Sequence, residues 1–259
     1  MWGYNWVVMK EVLRFAAPMD FAALRTFIGA VSMFGLLLLQ KKPLTPPPYW
    51  RAAAGLGALQ TAGFLACSQF ALLINGAGKT SVLIYTMPFW TILLARPILQ
   101  ERIQGVQWLA VLLALLGLGL IMDPWHRQQQ PVGDALAIGA GLCWAGGTII
   151  AKRLQQRRQD IDLLRLNAWQ MALGTLPLLL LAPLVPGRPL ALEPYFIVAL
   201  LYTGILGTAL GWLMWLYILH SLSVLFTGPF FLQRQIQLSN ERCKWCTYLM
   251  RHIADKHLL

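Results

Sequence analysis

The segment 76–80, with the sequence GAGKT, has the residue types of a loop that binds phosphate groups. Such a loop needs a further glycine five positions before the second glycine, and Leu73 stands there instead. It also needs a β-strand before it, whereas this segment joins two long apolar runs. The sequence therefore favours a tight turn that carries a surface lysine, Lys79, over a nucleotide site.

Four residues near the carboxyl end have side chains that can coordinate zinc: Cys243, Cys246, His252 and His257. Five residues separate the second cysteine from the first histidine, whereas zinc fingers use about twelve. We therefore predict neither a metal site nor a cofactor. No histidine stands near a nucleophile within an apolar run, so we also predict no catalytic residues and no enzymatic activity.

Polar residues inside the apolar runs form a third candidate set, because burying them in lipid is costly unless they meet a partner or water. Two interpretations remain open for them: hydrogen bonds between helices, or the lining of a polar cavity. Pro88 likewise either frees a backbone carbonyl at that cavity or only kinks a helix. The polar residues are Asn5, Gln60, Gln69, Tyr85, Asp134, Asn167, Gln170 and Tyr202.

The elements that must position these residues are transmembrane helices. Of the 259 residues, 58% are hydrophobic and 12% are charged, whereas soluble domains average about 25% charged residues. The net charge of +11 is spread between the apolar runs, which favours a topological role over nucleic-acid binding. Seven runs are long enough to cross a bilayer as helices: 21–40, 52–74, 80–98, 104–122, 132–151, 163–185 and 194–219.

Residues 1–17 predict a partial first span, because Lys10, Glu11 and Arg14 follow a short apolar stretch. With this segment counted as span 1, the loops after spans 2, 4 and 6 hold ten Lys and Arg residues, and the other loops hold five. Positively charged loops stay in the cytoplasm. The amino terminus is therefore also predicted to be cytoplasmic.

The two halves of the chain resemble each other, which predicts an internal repeat. With five helices in the first half, the second copy is inverted in the membrane, a common transporter plan with the substrate site between the copies. Ordered matches carry the repeat: Trp2 and Lys10 with Trp144 and Lys152; Ala23, Leu24, Arg25 and Gly29 with Ala168, Trp169, Gln170 and Gly174, offset by 145; and Thr61, Ala62, Phe70 and Leu72 with Thr208, Ala209, Tyr217 and Leu219, offset by 147.

These residues also carry a resemblance to the EamA family of the drug/metabolite transporter superfamily. The segments that resemble it are 2–5 (WGYN) with Lys10, 21–25 (FAALR), 76–90, the pair Glu101 and Arg102, 144–153 and 168–170 (AWQ).

The resemblance implies an all-α polytopic bundle of two inverted five-helix repeats. It implies a multi-pass permease of the bacterial inner (plasma) membrane that moves amino acids or other small metabolites, with efflux and proton coupling as further expectations. Residues 1–125 would form the first repeat and 131–219 a second repeat without its last two helices. A divergent basic tail would occupy 220–259, as after truncation or a frameshift. The alternative is a truncated, non-transporting membrane protein or an accessory subunit.

The candidate substrate-binding residues follow from the polar set, the tryptophans and the resemblance. Lys10 and Arg25 are the cations expected to attract an anionic or zwitterionic substrate. Tryptophans at positions 2, 90, 144, 212 and 215 either anchor the chain at the membrane boundary or face the cavity. The candidate site residues are Asn5, Lys10, Arg25, Gln60, Tyr85, Pro88, Trp90, Trp144, Gln170 and Tyr202.

Overall fold

A computed structural model of the protein describes residues 2–99, 108–109, 112–113, 116–117, 130–158, 160–185 and 189–221. The predicted fifth span, 104–122, lies almost wholly outside these residues, and so does the tail with Cys243, Cys246, His252 and His257.

The described residues form helices and connecting turns, with no strand among them, which confirms the predicted all-α fold. They include six helical segments long and apolar enough to cross a membrane, at six of the seven predicted positions. A shorter helix precedes them. The helices are α1 (Trp2–Val12), α2 (Pro18–Leu39), α3 (Trp50–Asn75), α4 (Ala77–Ile84) with α5 (Met87–Leu99), α6 (Pro131–Arg157), α7 (Leu163–Leu184) and α8 (Pro194–Ser221).

Helix starts follow from local sequence. Pro18, Pro131 and Pro194 each begin a helix, where the missing N–H of proline costs nothing. Asp162 caps α7, since its Oδ1 accepts hydrogen bonds from the backbone N–H groups of Leu164 and Arg165 at 3.1 and 3.3 Å. Charge and proline therefore bound the helices as the sequence indicates.

The predicted span 80–98 is two helices rather than one. Tyr85 and Thr86 form a turn between α4 and α5, and Pro88 lies in the first turn of α5. Proline has no N–H to donate to the carbonyl of Ile84 four residues earlier, so continuous helical bonding stops here. The break brings the phenol of Tyr85 to the edge of the cavity described below.

The GAGKT segment joins helix α3 to helix α4, so no strand precedes it. Gly76 makes the turn with φ of 80°, a left-handed conformation that favours glycine. Lys79, predicted to be a surface lysine, forms an ion pair in the structure. Its Nζ lies 2.9 Å from Oδ2 of Asp134 in α6. Asn75 Nδ2 donates to Oδ1 of the same carboxylate at 2.8 Å. Asp134 thus joins the end of α3 to the start of α6.

Many large apolar side chains lie on the outer surface of the helix bundle. Leu180 is 72% exposed and Val198 67% exposed, and such residues occur along several helices. Soluble monomers rarely expose so much contiguous apolar surface. A bilayer covers this surface, so the chain is a multi-pass membrane protein.

Helices α3 and α8 share an unusual feature at equivalent places. Each is π-helical part of the way along, over Gly57–Gly63 in α3 and Tyr202–Leu210 in α8. The two segments begin 145 residues apart in sequence, in agreement with the repeat offsets of 145 and 147. Single π-helical turns are rare and frequently occur at functional sites.

The π-helical segments pack crosswise between the two halves of the chain. Gly204 of α8 lies against α2, where a Cβ atom on it would be 2.9 Å from the carbonyl oxygen of Arg25. Gly57 of α3 lies against α7, where a Cβ atom would be 2.6 Å from the carbonyl oxygen of Gln170. Arg25 and Gln170 are themselves repeat partners. Gly57 and Gly204 also lie 147 residues apart, so the two contacts join matching positions of the predicted repeat.

Candidate functional site

A cavity lies between the two halves of the bundle, and its walls surround about 500 Å³ of space, counting the part that is open to the outside. Helices α1 to α5 and the turn at Tyr85 line one side, and α6 and α8 line the other. The lining residues are Asn5, Trp6, Met9, Arg25, Phe64, Leu65, Ser68, Ile84, Tyr85, Met87, Trp144, Gly207 and Trp212.

Arg25 is the charged group among the lining residues. Its side chain is deeply buried, and the residue is only 3% exposed. Nε and Nη2 donate to Oγ1 of Thr208 in α8 at 3.1 and 2.6 Å, and Nη1 donates to Sδ of Met9 in α1 at 2.8 Å. The guanidinium therefore joins the first half of the chain, through α1 and α2, to the π-helical segment of α8.

Thr208 is oriented to accept these bonds. Its hydroxyl donates its single hydrogen to the carbonyl oxygen of Thr203 at 2.7 Å, within the π-helical segment. The oxygen lone pairs are thereby left to accept from Arg25. Since a hydroxyl and a thioether are both neutral, neither neutralises the buried charge.

Aromatic side chains form another part of the cavity lining. The ring of Trp144 packs edge-on against Phe64 and Trp212, with centroids 4.9 and 5.7 Å apart. Trp144 and Trp212 are each 3% exposed. Such rings give a small ligand a rigid apolar surface.

Tyr85 lies at the rim of the cavity, where it is 43% exposed. Its hydroxyl oxygen is 3.4 Å from Nε1 of Trp6, which donates to it. The turn between α4 and α5 gives Tyr85 this position, since no helix continues through it.

The repeat partner of Arg25 is Gln170, and the two sites differ in charge. Gln170 is fully buried in α7, and its Nε2 donates to Oδ1 of Asn167 at 3.2 Å. Thr61, the partner of Thr208, lies against Gly174 of α7. A neutral amide therefore stands at the repeat position that is equivalent to Arg25.

The structure brings four of the ten predicted site residues to the cavity: Asn5, Arg25, Tyr85 and Trp144. Trp212, one of the tryptophans with two open interpretations, also lines it. The binding roles of these residues stay predictions.

The other six predicted residues lie elsewhere. Lys10 Nζ donates to the carbonyl oxygen of Leu72 at 2.9 Å. Gln60 is 1% exposed, and its amide has no hydrogen-bond partner within the described part of the chain. Trp90 Nε1 donates to Oγ1 of Thr86 at 3.1 Å. Pro88, Gln170 and Tyr202 also lie outside the cavity lining.

Sequence reasoning missed most of the apolar lining. Asn5 and Met9 lie one helical turn apart on α1, and Phe64 and Ser68 lie one turn apart on α3, so helical spacing from a polar lining residue could have found them. Met87 could have been found from its position two residues after Tyr85, next to the break between α4 and α5.

Two segments, 1–123 and 131–233, match the model of the EamA-like transporter family. The chain belongs to the EamA-like transporter family. This confirms the resemblance to the drug/metabolite transporter superfamily. The second match continues past residue 219, where we expected the second repeat to end.

Relatives agree with this membership. The uncharacterized transporter YoaV of Bacillus subtilis is 29% identical over 227 residues, covering 86% of this chain and 77% of the relative. A probable amino-acid metabolite efflux pump of Salmonella typhimurium is 27% identical over 224 residues, covering 83% and 73%. A solved crystal structure shares the fold, with a TM-score of 0.64 and 16% identity over 87% of this chain and 80% of that one.

Membership in a transporter family gives the central cavity its context. An EamA-like transporter works in a lipid bilayer on small molecules, and the cavity lies where the halves of the chain meet.

Proposed function

We propose that this EamA-like transporter is a permease of the bacterial inner membrane that exports small metabolites, amino acids among them, by alternating access. The observation that carries the proposal is the cavity lined by residues from both halves of the chain, with the buried cation of Arg25 among them. In inverted-repeat transporters the substrate site lies between the repeats. The repeats would comprise residues 1–125 and 131–219, followed by the basic tail 220–259.

The packing between the halves supports a rocking motion. Close glycine contacts at Gly57 and Gly204 leave smooth helix faces without interlocking side chains at these points. Because the two contacts join matching positions of the predicted repeat, each half could adopt the arrangement of the other. This exchange would open the cavity to the opposite side of the membrane.

The proposed substrate class has support from two relatives. Those from Salmonella typhimurium and Escherichia coli are named probable amino-acid metabolite efflux pumps, at 27% and 26% identity.

Transport by the purified protein tests the proposal. Proteoliposomes loaded with a mixture of radiolabelled amino acids should release label faster than protein-free liposomes, and an imposed pH gradient tests proton coupling. Gly204→Trp is the control, because an indole at this contact would hold α8 away from α2. Equal release from wild-type, control and empty liposomes would contradict transport and favour a non-transporting membrane protein or an accessory subunit.

A further inference from the structure

We propose that the cavity selects organic monocarboxylates that have an aromatic or apolar body and no ammonium group, with Arg25 as the carboxylate ligand. This inference rests on the proposed function and deepens it by naming the charge of the substrate. It predicts an order of preference: monocarboxylate first, amino-acid zwitterion second, amine last.

The first support is the unneutralised charge of Arg25. The ion pairs of the described residues join Arg14 to Glu11, Lys42 to Asp162 and Lys79 to Asp134, and none includes Arg25. A buried charge is costly unless an opposite charge offsets the loss of water. A carboxylate in the cavity would supply that charge and can accept two parallel N–H bonds from a guanidinium.

The second support is that packing does not require an arginine at this place. Gln170 occupies the equivalent position in α7, with the same close approach of a π-helical glycine to its carbonyl oxygen. Since a neutral residue stands at the equivalent contact, the approach of the two helices does not itself require the charge of Arg25. Its position on the cavity wall points to a ligand.

The third support is the character of the remaining walls. Apart from Arg25, the described lining residues are uncharged, and the largest are Trp6, Trp144 and Trp212. An ammonium group would find no carboxylate here and would be repelled by the guanidinium. Asn5 Oδ1, which has no partner in the described ranges, offers one neutral acceptor for a hydroxyl or amide of the ligand.

Equilibrium binding in lipid nanodiscs tests the inference with three ligands that share a phenylethyl body: 3-phenylpropionate, L-phenylalanine and 2-phenylethylamine. Wild-type protein should bind the propionate at least tenfold more tightly than phenylalanine, and the amine most weakly. Arg25→Gln should weaken propionate binding at least tenfold and abolish the preference. Arg25→Lys should retain part of it, because a lysine keeps the charge but not the two-bond geometry.

Arg14→Gln is the matched control, since it removes an equal charge from a side chain that is 71% exposed. It should leave all three affinities unchanged. Arg25→Gln should fold, as Gln170 does in the equivalent place, and a monodisperse gel-filtration peak checks this. If Arg25→Gln is misfolded, the Arg25→Lys result alone decides.

The outcomes separate the two proposals. Equal binding of propionate and amine, or unchanged preference in both Arg25 variants, overturns the inference even if amino acids are transported. Arg25-dependent propionate binding without transport of any of the three ligands supports the inference and overturns the proposed function.

Discussion

Lys10 and Lys152 cap two different helices in the same way. Lys10 Nζ donates to the carbonyl oxygen of Leu72 in the last turn of α3, at 2.9 Å, and Lys152 Nζ donates to that of Leu219 in the last turn of α8, at 2.8 Å. The lysines are repeat partners, and so are the leucines. A cation at a helix carboxyl terminus is favourable, because the last carbonyls lack partners and carry partial negative charge.

Lys10→Met and Lys152→Met should therefore each lower the free energy of unfolding by about 1.5–3 kcal/mol, as the loss of a hydrogen bond from a charged group does. Thermal unfolding in detergent, followed by gel filtration, measures the change as a lower Tm. Lys41→Met is the control, since Lys41 is exposed beyond the end of α2.

The same variants decide between two roles for Lys10. A helix cap predicts that Lys10→Met loses stability with an unchanged KM for transport. A raised KM at a temperature where the protein is fully folded would instead support the sequence-based expectation that Lys10 attracts the substrate.

A larger residue in place of Gly57, where α3 crosses α7, should destabilise the protein. Gly57→Ala would place a methyl group 2.6 Å from the carbonyl oxygen of Gln170, so the helices must separate. Overpacking of this kind costs about 1–3 kcal/mol. Gly35→Ala in α2 is the control, because no atom lies within 4 Å of its added Cβ, and it should stabilise α2 slightly. Equal Tm values for the two variants would contradict the close contact.

The helices and the repeat could be predicted from sequence because each has a direct signal there. A span needs about 20 apolar residues, and those runs are visible. The offset of 145 likewise identified Arg25 with Gln170, and the structure places a π-helical glycine against the carbonyl oxygen of each. The turn at Tyr85 was only indicated, through Pro88.

The apolar cavity walls and the role of Lys10 could not be predicted. In a chain with 58% hydrophobic residues, a cavity-facing Phe64 and a lipid-facing Leu180 look alike, since both are apolar and helical. Lys10 contacts a carbonyl 62 residues away in the chain, and its charge alone says nothing of that partner.

Thr208 should compete with the substrate for Arg25. Thr208→Val keeps the side-chain shape but removes the oxygen that accepts from Nε and Nη2. The freed donors should then bind a carboxylate more tightly, by about tenfold, which corresponds to ~1.4 kcal/mol. Nanodisc binding of 3-phenylpropionate measures this, with Thr208→Ser as the control that retains the hydroxyl. Weaker binding by the valine variant would show that Thr208 helps to hold the ligand.

Cys67 of α3 and Cys143 of α6 are free thiols that lie at the interface between these two helices, one from each half of the chain. A Cβ on Gly63 of α3 would be 3.0 Å from Cys143 Sγ, and a Cβ on Gly139 of α6 would be 4.0 Å from Cys67 Sγ. Copper–phenanthroline should therefore oxidise them to a disulfide, with both thiol hydrogens lost and two electrons passed to copper(II). If the halves must move past each other, this bond should stop transport.

Proteoliposomes carrying Cys243→Ser and Cys246→Ser, which leave only this pair, give the clearest measurement. Release of labelled substrate should fall to the protein-free rate after oxidation and recover with dithiothreitol, while loss of maleimide labelling reports the bond. Adding Cys67→Ser provides the control, in which the oxidant should have no effect. Full transport by the oxidised, cross-linked protein would show that α3 and α6 move as one unit, and the moving interface would then lie at the glycine contacts of α2 with α8 and of α3 with α7.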